Sequence, residues 1–342
     1  MQSALAELAQ RNRHNLRTLR ESPLSEISGA LGDLGTLLPL MIALARQRSI
    51  NLSSTLVFSG LFNIVTGVVF GIPLPVQPMK AIAAASLSTP LSLPATTAAG
   101  ALVSLAVLAL TLTGALRLLT THVPVPVIKG IQLGAALRLV SSGAALIRPL
   151  PWLPPPLTDA RLSAAVLFLL LLATHRLAPR FPSALVLTAL AVLIPPLDGV
   201  SPHAAAPPSH ALTNTATWFS PPFPPPAQSY PPFLAQLPLT TLNSILAVPP
   251  LAASLLPSTT TLPSTTSLGL SVAFMNLLSC PFGAMPVCHG AGGLAGQVRF
   301  GARSGAAVVL LGVVKMGLGF VAGRVDVAGM LGGFSPGVLG VM

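Results

Sequence analysis

Gly-Ile-Pro-Leu-Pro-Val-Gln-Pro-Met-Lys, residues 71–80, is the stretch that decides the fold. Pro73, Pro75 and Pro78 fall within six residues. That density excludes a helix interior, because each proline removes an amide donor and crowds the preceding turn. The chain is therefore extended up to Gln77, and Pro78 suits the first position of a helix, where the missing N–H costs nothing. Apolar stretches near the roughly 20 residues needed to cross a bilayer flank this point on both sides. The change from extended chain to helix thus falls inside a membrane. A second stretch, Met-Pro-Val-Cys-His-Gly-Ala-Gly-Gly at 285–293, repeats the plan, with an extended lead and a glycine-rich helix start. Irregular backbone at this depth is tolerated only where it lines a cavity or is buried in protein.

Each transition sets a helix N-terminus within the membrane. Its unpaired N–H groups and the positive end of the macrodipole favour an anion. Two facing N-termini could grip one tetrahedral oxyanion by its oxygens. The candidate binding residues are Gln77, Pro78, Met79 and Lys80 in the first stretch and His289, Gly290, Ala291 and Gly292 in the second. Glycines at 290, 292 and 293 permit close backbone approach. Lys80 opposes the dipole unless an anion lies between them, so it reads as charge partner to the substrate, or more plainly as a snorkelling or paired lysine. Gln77 and His289 hold equivalent positions to within one residue, and each can donate to an oxyanion. The plainer reading is that both satisfy neighbouring backbone. Asn243, Ser244 and Gln132 are further polar candidates. Asp33 is the acid that lies well inside a span, available to pair with Lys80, to cap backbone or to carry a proton. Lys129, Arg138 and Lys315 lie nearer span ends and are expected to snorkel.

The halves of the chain match at a nearly constant offset. Leu38-Pro39 returns as Val248-Pro249, Pro75-Val76 as Pro286-Val287, and Pro126 with Gly130 as Pro336 with Gly340, offsets of 210 or 211; Asp33 falls opposite Asn243. Spans are expected at about 24–45, 52–71, 73–89, 95–119, 125–147, 160–175, 181–197, 238–256, 265–283, 285–298 and 304–323, with a last apolar piece at 327–342. The organisation is then a segment 1–23, a first repeat of seven spans over 24–197, a Pro-rich mobile loop over 198–237, and a second repeat over 238–342. Seven crossings invert the second unit, a design that puts substrate near the midplane. The second unit stops partway through the counterpart of span 5, so it is expected to be C-terminally truncated, with 11 to 12 spans present.

Composition agrees with this all-α polytopic membrane class. Of 342 residues, 52% are hydrophobic and 7% charged, against about 25% charged in soluble domains. The net charge of +11 comes from 18 basic and seven acidic residues, with the basic ones mainly in short loops. That is the positive-inside pattern rather than a nucleic-acid surface. Counting Lys and Arg in loops gives nine on the N-terminal side of the membrane and five opposite, which favours a cytosolic N-terminus in a plasma or internal membrane. Residues 1–20 hold four arginines without an apolar core, unlike a signal peptide. Cys280 and Cys288 read as small packing residues, not as a metal site or disulfide framework. No cofactor is implied, and a membrane enzyme is disfavoured, since no paired carboxylates or nucleophile with base can be found.

Three stretches resemble the molybdate transporter family, a branch of the sulfate permease superfamily. They are Ser-Gly-Ala-Leu-Gly-Asp-Leu-Gly-Thr-Leu-Leu-Pro-Leu at 28–40, Phe-Gly-Ile-Pro-Leu-Pro-Val-Gln-Pro-Met-Lys-Ala-Ile-Ala at 70–83, and Phe-Gly-Ala-Met-Pro-Val-Cys-His-Gly-Ala-Gly-Gly-Leu-Ala-Gly-Gln at 282–297 with Arg-Phe-Gly-Ala-Arg-Ser-Gly at 299–305. The resemblance implies molybdate transport feeding molybdenum cofactor synthesis. It also implies the 7+7 inverted-repeat fold with a core and a gate domain, substrate lying between spans 3 and 10. Sulfate, also a tetrahedral dianion, is the alternative substrate, and a truncated, non-transporting homologue the alternative fate. The lipid bilayer is the environment, and both monomer and homodimer remain open.

Overall fold

The computed structural model describes residues 2–152, 160–177, 181–197, 219, 221–257, 262–322 and 336–341. These residues are mostly helical: α1 (Gln2–Glu21), α2 (Pro23–Ala30), α3 (Leu34–Arg46), α4 (Leu52–Phe70), α5 (Lys80–Ser88), α6 (Leu93–Leu112), α7 (Ala115–His122), α8 (Val125–Ile147), α9 (Arg161–Leu177), α10 (Ser183–Leu197), α11 (Tyr230–Leu239), α12 (Val248–Leu255), α13 (Thr265–Ser279), α14 (Ala291–Arg299), α15 (Ala306–Val321) and α16 (Pro336–Val341). Two short strands, β1 (Val76–Pro78) and β2 (Val287–His289), interrupt them. The order helix, strand, half-helix, helix therefore occurs twice, as α4-β1-α5-α6 and as α13-β2-α14-α15.

Among the described residues, four stretches are long and apolar enough to cross a membrane: Leu52–Phe70, Leu93–Leu112, Ala227–Leu255 and Thr265–Phe282. Large side chains such as Leu133, Val140, Leu169, Phe274 and Phe320 face outward, as they do where hydrocarbon is the solvent. Because lipid is as apolar as leucine, helices in it associate through close packing rather than through the hydrophobic effect. The pair α4 and α15 shows this. A Cβ on Gly67 would sit 2.5 Å from the Gly305 carbonyl oxygen, and one on Gly60 would sit 2.6 Å from that of Gly312. Backbone touches backbone at both levels. The helix α1 docks across this crossing through Asn15, which donates to the Gly67 carbonyl (3.0 Å) and accepts from the Gly305 amide (2.9 Å).

Two sequence expectations are corrected. The first span is not continuous: it breaks at Leu31–Asp33, between α2 and α3. Small residues allow it, since a Cβ on Gly29 would strike Ala302 and one on Gly32 would strike Phe300. The Pro-rich stretch is helical over its last part, because helix runs from Ala227 through α11; residues 198–218 of that stretch lie outside the described residues. Pro231 and Pro232 stand in the first turn, where no intrahelical amide bond is lost. Pro238 stands inside the rod and is followed by a π-helical segment, Thr240–Leu246, before Pro249 and Pro250. Lengthening the hydrogen-bonded turn there accommodates amides that proline cannot supply. The spans at 73–89 and 285–298 follow the expected plan: each is an extended lead followed by a half-helix of nine residues.

Candidate functional site

The extended leads of the two half-helices meet. β1 and β2 pair antiparallel, with Val76 opposite His289, Gln77 opposite Cys288 and Pro78 opposite Val287. The Met79 amide extends the ladder to the Pro286 carbonyl (2.9 Å). Left-handed glycines turn the chain into each lead: Gly71 (φ 68°) ends α4, and Gly283 (φ 71°) ends the turn after α13. An L side chain would be strained at either position. Two buried asparagines, absent from the sequence reading, clamp the strands. Asn63 Oδ1 accepts from the Val76 amide (2.7 Å), and Asn276 Oδ1 accepts from the Val287 amide (2.7 Å). Asn276 Nδ2 also donates to the Val287 carbonyl (2.7 Å) and to Val272 (2.8 Å). A lone asparagine amid Leu, Phe and Met in each apolar helix was the available signal.

The long helices bring their own caps. Asn51, Ser92 and Ser264 accept from the amides of Ser54, Ala95 and Ser267 at the starts of α4, α6 and α13. By contrast, Met79 and Gly290, which precede α5 and α14, make no side-chain cap bond. The first-turn N–H groups of these half-helices are left for partners distant in sequence. On α5 that partner is Gln236, whose Oε1 accepts from the Ala81 amide (2.7 Å) while its Nε2 donates to Thr240 (2.8 Å). Gln236 lay in the stretch read as loop and was missed for that reason. Against the start of α14 lies the side-chain amide of Gln77. A Cβ on Gly290 would fall 1.7 Å from Gln77 Oε1, and one on Gly293 would fall 2.4 Å from its Nε2. Glycine at 290 and 293 is what lets the amide rest there.

Directly opposed residues of an antiparallel pair share a face. Gln77 and Cys288 therefore share one face of the ribbon, and Val76, His289, Pro78 and Val287 the other. Gln77 and His289, one residue apart in this register, therefore face opposite ways. On its face Gln77 is buried and donates through Nε2 to Asp33 Oδ1. Asp33 precedes α3 yet makes no cap bond with its side chain. Cys288 hydrogen-bonds Ser244 and lies in the field of Lys80. Asp33, Gln77, Lys80 and Ser244 thus converge from the α2–α3 break, β1, α5 and the π-helical segment. Asn243 is also buried on that segment, and its Oδ1 has no donor among the described residues. Met79 and Ala291 are buried, and Gly292 is half-buried.

His289 is tied elsewhere. It is 0% exposed, its Nε2 lies 2.9 Å from Ser271 Oγ, and its ring meets Phe70 edge-on at 5.7 Å. Phe70 and Ser271 line an apolar groove of about 760 Å³ between α4, α6 and α13. The side chain of Gln132 lies outside the described residues, although α8, which carries it, packs beside the π-helical segment and α14. Lys315 does not snorkel. It is 4% exposed, and its Nζ lies 3.5 Å from the Val76 carbonyl. Among the described residues, no three His, Cys, Asp or Glu side chains gather as a metal ion requires.

A family model described as a molybdate transporter of the MFS superfamily matches residues 25–139 and 232–342. Among curated relatives, molybdate transporter 2 of Arabidopsis thaliana is 37% identical over 95% of this chain and 78% of its own length. Molybdate transporter 1 of the same plant is 34% identical over 96% of this chain and 80% of its own. Molybdate transporter 1 of Chlamydomonas reinhardtii is 32% identical over 87% and 78%. Among solved structures, the transmembrane domain of the cyanobacterial bicarbonate transporter BicA superposes with a TM-score of 0.55 at 16% identity, covering 92% of this chain and 85% of that one. The murine anion transporter Slc26a9, in its inward-facing state, superposes with a TM-score of 0.58 at 14% identity, covering 96% and 61%. At such identities the structural likeness speaks for the fold alone.

Proposed function

The chain belongs to the molybdate transporter family, and from that membership we propose that it carries molybdate across a membrane, holding the dianion on the Gln77/Cys288 face of the ribbon. One observation carries the location: two half-helices without local caps start from a single buried ribbon inside an apolar chain. Helix starts of this kind present oriented N–H dipoles, which stabilise an oxyanion without having to reorganise when it arrives. In this reading Lys80 supplies the long-range charge, and the amides of Ala291, Gly292 and Gly293 supply short-range donors. Asn243 and Ser244 line the side offered by the π-helical segment. Gln77 and Gln236 rest their carboxamides over the two helix starts in the conformation described. Their oxygens stand where oxygens of a bound anion would go, so substrate entry requires these amides to turn or withdraw. His289 supports the ribbon from its other face. The two helix–strand–half-helix–helix runs act as inverted repeats, and the basic N-terminal segment lies on the cytosolic side.

The test is uptake of labelled molybdate into proteoliposomes holding the purified chain, with and without excess sulfate. Uptake should saturate and survive sulfate, and Lys80→Ala should raise KM at least tenfold. Equal competition by sulfate would assign the site to tetrahedral dianions at large. Undiminished affinity in Lys80→Ala would move the site off this face.

A further inference from the structure

The two clamps on the ribbon differ in one respect. Asn276 serves both polar groups of Val287, accepting from its amide and donating to its carbonyl, each at 2.7 Å. Asn63 accepts from the Val76 amide in the same way (2.7 Å), but its Nδ2 has no acceptor among the described residues. The Val76 carbonyl is addressed instead by Lys315 Nζ at 3.5 Å. A neutral amide satisfies that carbonyl in one half of the ribbon, whereas in the other an ammonium does. Burying a cation within a bilayer is far more costly than burying an amide, so a chain that retains one has a use for its charge. Lys315 reaches this place because the glycine crossing of α4 and α15 brings the two backbones into contact one turn away, at Gly312. The charge it faces is Asp33, whose field acts on the ammonium, and Asp33 is the acceptor of the Gln77 amide.

We propose that Lys315 is a positioning residue of the transport site: a tethered cation that neutralises Asp33 and so lets a dianion approach the Gln77/Cys288 face. Without it, the Asp33 carboxylate would present more negative charge to an approaching dianion. This proposal rests on the transport reading above and deepens it.

Wild type, Lys315→Met, Lys315→Arg, Asp33→Asn and the double variant Asp33→Asn/Lys315→Met are reconstituted. Molybdate uptake and the unfolding midpoint are measured for each. Lys315→Met should raise KM at least tenfold with a smaller effect on maximal rate. Lys315→Arg and the double variant should stay within threefold of wild type, because each restores charge balance. A double variant no better than Lys315→Met, or a Lys315→Met whose KM stays within threefold, overturns the proposal. If Lys315→Met does not fold, the double variant decides: recovery of folding and uptake supports the pair, and failure of either refutes it. Should wild type take up no molybdate, the transport reading falls, and the midpoints judge the charge pair on their own. Non-additive midpoints keep it and additive ones remove it.

Discussion

Replacing Gly290 by alanine isolates the contact on which the site's geometry turns. Gly290 has φ −108° and ψ 119°, an extended conformation open to any L residue, so the substitution brings no backbone strain. What it brings is a methyl group 1.7 Å from Gln77 Oε1 and 2.5 Å from Gln77 Cδ, where ordinary contact begins near 3.4 Å. The amide must retreat by about the difference between those distances, which is enough to break its hydrogen bond to Asp33. A buried bond to a charged acceptor contributes about 1.5–3 kcal/mol. If the Gln77 orientation matters to binding in full, KM for molybdate should rise by about ten- to a hundredfold, at about 1.4 kcal/mol per decade. The decisive assay is uptake in proteoliposomes for Gly290→Ala, Gln77→Ala and the double variant. With Gln77 already truncated the new methyl group has nothing to strike, so Gly290→Ala should then cost less than threefold. Equal costs in the two backgrounds, or an unchanged KM in Gly290→Ala alone, would refute the assignment of Gln77 to the first turn of α14.

Three further outcomes follow from the same geometry. Asn276→Ala removes three hydrogen bonds to buried backbone and Asn63→Ala removes one. At about 1 kcal/mol each, the first should lower the unfolding midpoint two to three times as far as the second, as read by differential scanning fluorimetry in detergent. Gly305→Leu places a side chain where even a Cβ would lie 2.1 Å from the Gly67 carbonyl oxygen. It should abolish a monodisperse peak in size-exclusion chromatography, while Gly317→Leu, whose Cβ would meet nothing within 4 Å, should leave that peak intact. Asn15→Ala opens the bridge from α1 to α4 and α15 and should cost about 1–3 kcal/mol, with faster amide exchange confined to α1 and the ends it covers.

Much of this architecture was legible in the amino-acid order, and the reason is that the rules involved are local. Apolar length and scarce charge imply bilayer spans whatever the fold. Proline geometry at 73, 75 and 78 forces an extended lead wherever that segment lies. The same rule drew the sequence reading too far at Pro231 and Pro232, which stand where a helix can begin.

What the order of residues could not decide is direction. Side chains on a strand alternate faces with a period of two, so the sites of Gln77 and His289 depended on the register of the ribbon, and a shift of one residue would exchange them. Lys315 could equally have pointed to lipid headgroups, because nothing in a run of Val, Leu and Gly marks which side of α15 meets another helix. The glycine crossing turned it inward. Gln236 and the two asparagines became clamps only when segments far apart in sequence were brought within hydrogen-bond reach. Chain-local stereochemistry thus determined where the helices break. Pairing register and helix azimuth, which exist only once the segments pack together, decided which side chains share a face of the ribbon.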